Sequence, residues 1–246
     1  NKYLTRTQAM LSQGQPVFDI LHLLGDDSST KATKYNDKLV LPGYDFEFIS
    51  SHGLLNKVYV NNAGKLAYST GRQYSLLALA DDVTMRPEVL QKLKDMLDKG
   101  MTLVGKPPKK SPSLQGGILA DKKVTELNKA IWGGNYKGQV FSSLEAALKR
   151  LNIEPDVKLT GTENKILWRH HYIPDEQQDF YFLTNVEEKK TSFTAEFRVT
   201  NKQPELWNPL TGERKRIKNY RQRDGKTLIP LTLDKLESYF VVFTSK

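Results

Sequence analysis

Residues 73–105, QYSLLALADDVTMRPEVLQKLKDMLDKGMTLVG, decide the fold class of the first half of this chain. QYSLLALA, residues 73–80, is a nearly continuous apolar run of strand length, as expected of a strand buried on both faces of a parallel sheet. Thr84 offers a helix N-cap and Pro87 fits a first helical turn. Val89, Leu90, Leu93, Met96 and Leu97 then recur at helical spacing until Gly100. MTLVG, residues 101–105, is strand-like again, so the stretch reads as one β-α-β unit.

The same alternation extends outward in both directions. A helix is expected over about residues 3–13, followed by a strand in PVFDILHLL, residues 16–24. After the loop KPPKKSPSLQGG, the segment ADKKVTELNKAIWG places Val124, Leu127, Ile131 and Trp132 on one helical face. GQVF reads as a strand. Ser142, with Glu145 three residues later, forms a capping-box pattern before SLEAALKRL. Residues 56–70, NKVYVNNAGKLAYST, look like a small hairpin turning at Asn61–Gly64. The expectation for residues 1–151 is an α/β domain with helices flanking a parallel sheet.

From about residue 152 the helical period disappears. KILWRHHYI, DFYFLTNV, TSFTAEFRV, PELWNPLTGE, RIKNY, TLIPLTL and SYFVVF are short aromatic and β-branched segments separated by turns. That spacing predicts an antiparallel β-sandwich over 152–246, with the boundary near LNIEPDVKL.

With 246 residues, 38% of them hydrophobic, the chain can bury one large core or two modest ones. It contains no apolar run long enough to span a membrane, and residues 1–20 lack the order of a secretory leader. Asn1 suggests a fragment or a processed chain. The absence of cysteine removes disulfides, thiolate metal sites and cysteine nucleophiles, including the cysteine that glutamine amidotransferases require. The net charge of +9 is concentrated in ERKRIKNYRQRDGK, residues 213–226. This run holds one aromatic, Tyr220, and reads as an exposed hairpin turning at Asp224-Gly225 rather than a nucleic-acid groove. No partner nucleic acid is expected.

No GxGxxG, GxxxxGK[ST] or GxSxG motif occurs, and the loop GDDSSTKAT, residues 25–33, carries acids where a phosphate would need positive dipole. No cofactor is therefore expected. Of the four histidines, His22 reads as a core residue. His52 follows the acids of YDFEF. His170 and His171 point to opposite faces if they lie on a strand, one inward and one to solvent, so they do not share a metal. Asp26, Asp27 and Asp37 are a conceivable calcium set with no supporting pattern. No metal site is assigned.

The candidate acid and base are Asp45 and Glu47 in VLPGYDFEFISSHGLL, residues 40–55. On an extended strand they share a face with bases about 7 Å apart, compatible with the roughly 6.5–9.5 Å separation of an inverting glycosidase. Asp45 could alternatively cap a helix beginning at Phe46. The candidate sugar-stacking residues are Trp168, Trp207 and Tyr220, although both tryptophans also suit a core.

Taken in order, YLTRTQAMLSQGQPVFDILHLLGDD, PGYDFEFIS, GKLAYSTGRQYSLLALADDVT with its continuation through KSPSL, ADKKVTELNKAIWG, PELWNPLTGE and SYFVVF resemble the C-terminal region of glycoside hydrolase family 106, the alpha-L-rhamnosidases. The resemblance covers essentially the whole chain. It implies a large exported multidomain enzyme whose catalytic (β/α)8 barrel lies upstream. The two halves here would be a flavodoxin- or amidotransferase-like domain and a following β-domain. The implied role is support of that barrel, with carbohydrate as a further partner. The family's catalytic residues are not carried over onto this chain. Tyr44, Phe46 and Phe48 are then expected to divide between a core and an exposed aromatic patch facing the barrel.

Overall fold

The computed structural model describes residues 2–26, 41–80, 84–112, 116–162 and 165–245. The chain divides into two compact units: Phe18–Glu154, and Asn1–Val17 together with Pro155–Lys246.

In the first unit, five parallel strands form a sheet ordered Phe46–Ile49, Ile20–Leu23, Leu76–Leu79, Leu103–Val104 and Val140–Phe141. In chain order this is 2-1-3-4-5. Both ILHL and LLAL are buried along their whole length. Strand alternation explains why. Leu21, Leu23, Leu77, Leu79 and Leu103 pack on one face with Val89, Leu93, Val124 and Leu127 of helices Pro87–Leu97 and Gly117–Trp132. On the opposite face, Ile20, Leu76, Ala78 and Val104 pack with Leu144 and Leu148 of helix Leu144–Leu151.

Three local details differ from the sequence expectation. The run 73–80 is interrupted at Ser75, where the amides of Ser75 and Leu76 donate to the Asp19 carbonyl. Gln73–Tyr74 instead joins Tyr59–Val60 and Leu66–Ala67 in a small antiparallel sheet, whose hairpin turns at Asn61–Gly64 as its residues suggest. Thr84 does not cap the 87–97 helix. It makes a β-bridge with Lys110, and Arg86 occupies the cap position without a side-chain bond. The last helix is capped by Ser143, not Ser142: the Ala146 amide donates to Ser143 Oγ at 3.3 Å, placing Glu145 in the first turn. Ser143→Ala is expected to cost about 1 kcal/mol in chemical denaturation, with Ser142→Ala near neutral.

The second unit contains two antiparallel sheets. One runs Gln15–Pro16, Ile166–Ile173, Gln178–Asn185, Ser238–Ser245, Lys202–Trp207 and Arg214–Arg216. The other runs Val157–Thr160, Thr191–Phe197, Lys226–Leu233 and Arg221–Arg223. Their alternating apolar residues form one cluster. Tyr181, Leu183, Val241 and Phe243 come from the first sheet, and Phe193, Ala195, Phe197, Ile229, Leu231 and Leu233 from the second. RIKNY is not itself a strand; strands 214–216 and 221–223 flank it, and the hairpin turn lies at Asp224-Gly225, both with positive φ.

The other face of the six-stranded sheet carries Ile173, Phe180, Phe240 and Val242, packed by Met10 and Leu11 of helix Lys2–Leu11. Residues 1–17 therefore belong to the β-rich unit, which differs from placing all of 1–151 in one α/β domain. Apolar residues on the first helix find their partners in strands more than 150 positions away, a pairing that local periodicity does not encode.

Candidate functional site

Asp45 does not cap a helix. The Phe46 amide donates to its Oδ1 at 2.9 Å, and the following residues continue as strand Phe46–Ile49. The helix comes later, at Ser51–Lys57, with Ser50 as its cap.

Glu47 lies on that edge strand and is held from the neighbouring small sheet. Arg72 Nη1 lies 2.9 and 3.0 Å from its two carboxylate oxygens, and the Tyr74 hydroxyl donates to Oε2. Burial, then the bond to Glu47, pushes the Tyr74 hydroxyl well above its ordinary pKa and keeps it a donor. Burial, followed by the charge of Glu47, also raises Tyr68. The carboxylate is thus an ion-pair acceptor engaged at both oxygens. Arg72 and Tyr74 follow it by 25 and 27 positions, so no spacing within YDFEF announces them.

On the outer side of Arg72 lies an open groove of about 700 Å³. Tyr59, Tyr68, Thr70, Asn56, Lys57 and Lys92 contribute to its lining. Its walls carry hydroxyls, an amide and cations but no carboxylate. It can hydrogen-bond a polar ligand, but its lining offers no acid–base pair.

Tyr44, Phe46 and Phe48 are all half-buried, so the exposed aromatic patch expected there is not formed by them. The Tyr44 hydroxyl donates to the Ile153 carbonyl at 2.9 Å. Phe46 and Phe48 enclose the buried His22, with ring centroids 5.3 and 6.1 Å from the imidazole. His52 sits exposed on helix Ser51–Lys57, its carbonyl accepting from Asn56 Nδ2 at 2.8 Å. Asp26 pairs with Arg86 Nε at 3.1 Å. Asp27, Asp37 and most of the loop GDDSSTKAT lie outside the described residues.

The three aromatic candidates are each partly buried. Trp168 and Tyr220 pack against the cluster shared by the two antiparallel sheets, and the Tyr220 hydroxyl donates to Gln203 Oε1 at 3.3 Å. Trp207 packs beside Phe240, donates through Nε1 to Glu205 Oε2 at 2.8 Å, and carries the Arg214 guanidinium 3.8 Å above its ring. It lines a pocket of about 250 Å³ beside the N-terminal helix.

Both adjacent histidines are buried, so neither faces solvent. They do point to opposite faces: helix Lys2–Leu11 packs on the face on which His171 lies, and strand Gln15–Pro16 pairs alongside it at the sheet edge. His171 stacks on Phe180 and bonds the Gln13 carbonyl through Nδ1 at 3.2 Å. His170 donates from Nδ1 to Asp156 Oδ2 at 2.8 Å and from Nε2 to Asp179 Oδ1 at 3.0 Å. Two carboxylate acceptors require both ring nitrogens to carry protons, which defines an imidazolium. Burial lowers the His170 pKa, but Asp156, with help from Asp179, outweighs it and raises the value to about 9. Burial likewise opposes the Asp156 charge, yet His170, Arg198 and the Tyr181 hydroxyl leave that carboxyl below its usual range. Tyr181 donates to Asp156 Oδ1 at 2.8 Å, and Lys202 donates to Asp179 Oδ2 at 2.6 Å. The network ties both sheets together, with His170, Asp156 and Tyr181 buried at its centre.

A family model described as alpha-L-rhamnosidase, glycoside hydrolase 106, matches residues 1–222. A curated protein of Formosa agariphila named "Putative beta-glucuronidase" is 34% identical over 242 residues, covering 98% of this chain and 20% of that protein. A solved rhamnosidase from Novosphingobium sp. PP1Y superposes with a TM-score of 0.87 at 30% identity, covering 99% of this chain and 24% of that one. Alpha-L-fucosidase isoenzyme 2 from Paenibacillus thiaminolyticus shares the fold at a TM-score of 0.56 and 10% identity, over 99% of this chain and 51% of its own. This chain thus spans about a fifth of the curated relative and a quarter of the rhamnosidase.

Proposed function

Because the chain belongs to glycoside hydrolase family 106, the family described as alpha-L-rhamnosidase, we propose that it is the non-catalytic C-terminal part of such an enzyme, supporting a catalytic barrel encoded upstream. The observation that carries this reading is the state of Glu47. Its oxygens already accept from Arg72 and Tyr74, and no carboxylate lines the adjacent groove to serve as its partner. Hydrolysis of a rhamnosyl linkage needs one carboxyl to protonate the leaving oxygen and a second to activate water, and both would reside upstream.

The 2-1-3-4-5 order of the parallel sheet favours a flavodoxin-like assignment for the first unit. The apolar cluster shared by two antiparallel sheets favours a sandwich for the second. Among the described residues no helix is long and apolar enough to cross a membrane. We assign the parent enzyme to an exported location, periplasmic, cell-surface or extracellular, where polysaccharide is met.

Purified residues 1–246 are expected to show no turnover of an aryl alpha-L-rhamnoside. Turnover that is abolished by Asp45→Asn or Glu47→Gln would overturn the assignment. A second reading, a carbohydrate-binding module, is favoured by one observation, the groove beside Trp207.

A further inference from the structure

The groove beside Trp207 has a floor of Met10, Phe240 and the indole, with Arg6 and Arg214 also lining it. It is mostly apolar, yet it holds two guanidinium groups. Neither is paired with a carboxylate among the described residues. Arg214 stacks on the indole. Arg6 uses only Nη1 within the protein, donating to the carbonyls of Pro209 and Leu210 at 3.2 and 2.7 Å. Its other edge, Nε with Nη2, is a two-donor fork with no acceptor among the described residues. Gly212 lets its backbone approach the face of that guanidinium: a Cβ there would lie 3.0 Å from Cζ, 3.0 Å from Nη2 and 3.1 Å from Nε. The turn also requires glycine at this point, with φ +83°.

A parallel pair of N–H donors matches a carboxylate bidentately, and a lysine cannot reproduce that geometry. An apolar floor with an aromatic edge suits the C–H face of a sugar ring. A cavity of about 250 Å³ takes a single ring rather than a folded chain. The basic run 213–226 begins at this groove through Arg214 and would attract a polyanion toward it.

From these features we propose that the groove binds one carboxylated sugar unit, a uronate of an acidic polysaccharide, with its carboxylate on the Nε/Nη2 edge of Arg6 and its charge further balanced by Arg214. The proposal rests on the binding-module reading and gives it a ligand class.

The test is calorimetric titration of residues 1–246 with oligogalacturonate, a neutral rhamno-oligosaccharide and a sulfated oligosaccharide, with thermal melts of every variant. Saturable binding of oligogalacturonate is expected, weakened at least tenfold by Arg6→Lys and several-fold by Arg214→Gln. The exposed Arg214 variant should melt as the parent does, so its result stands even if Arg6→Lys unfolds. Equal affinity for neutral and uronate oligomers, or no effect of Arg214→Gln, overturns the uronate assignment while leaving a binding module. Preference for the sulfated oligomer overturns the carboxylate in favour of a sulfate ester. Binding of none of the three overturns both.

Discussion

Asp156→Ala is expected to destabilise the β-rich unit by about 3–5 kcal/mol, the usual cost of removing one partner from a buried ion pair. The substitution would leave the Tyr181 hydroxyl without its acceptor and His170 with one carboxylate in place of two. Asp156→Asn should not rescue the fold. An asparagine can still accept from Tyr181, but its amide group would then face the Nδ1 proton of His170 as a second donor. In denaturant unfolding, the loss for Asp156→Ala combined with His170→Ala should fall well short of the sum of the two single losses, because both remove the same interaction. A loss below about 1 kcal/mol for Asp156→Ala, on the scale of an exposed ion pair, would contradict the burial of this network.

The second large effect is pH dependence on the alkaline side. With a folded pKa of about 9 against an ordinary 6.5, His170 binds its proton more tightly when folded. Its contribution is complete below about pH 6.5 and disappears as the pH rises through 9, a span worth about 3 kcal/mol. The opposing sign applies to Asp156, whose lowered pKa gives a contribution present above its ordinary value of 3.8 and lost as the pH falls below it. Beside them, Lys202 bonds Asp179, and burial first, then Asp156, raises Tyr181 well above its ordinary value of 10. Denaturation midpoints measured from pH 5 to 10 should fall on the alkaline side, and His170→Gln should flatten that limb. A wild-type profile unchanged between pH 6.5 and 9.5 would mean that His170 is neutral in the folded protein.

Legibility followed the range of the interactions. The 87–97 helix, the Asn61–Gly64 turn and the Asp224-Gly225 turn are set by neighbours within a few residues, and the two-sided burial of ILHL and LLAL, though made by distant helices, is displayed by their continuous apolar runs. The cap at Ser143 rather than Ser142 is a shift of one position between two serines, with the Ala146 amide meeting the second. The engagement of Glu47 by Arg72 and Tyr74 is a tertiary event: strand Phe46–Ile49 must meet the small antiparallel sheet before the carboxylate has partners. The same holds for His171, whose burial depends on helix Lys2–Leu11, and for Arg6, whose guanidinium lies against a glycine 206 positions later. Residue types named the candidates at Glu47 and Trp207, but their roles, like that of His170, are fixed by residues that no local motif contains.

One feature of the β-rich unit has topological weight. The Val17 amide donates to the His170 carbonyl at 3.0 Å, while Asp156 accepts from the ring of the same histidine. The chain leaves this unit after Val17 and re-enters it at Pro155, and His170 bonds to residues on both sides of that splice. In topological terms the α/β unit is a guest spliced into a β host, and His170 is the clasp at the splice. The host closes its own sheets without any strand from the guest, and the clasp joins the strand before the splice to the strand after it.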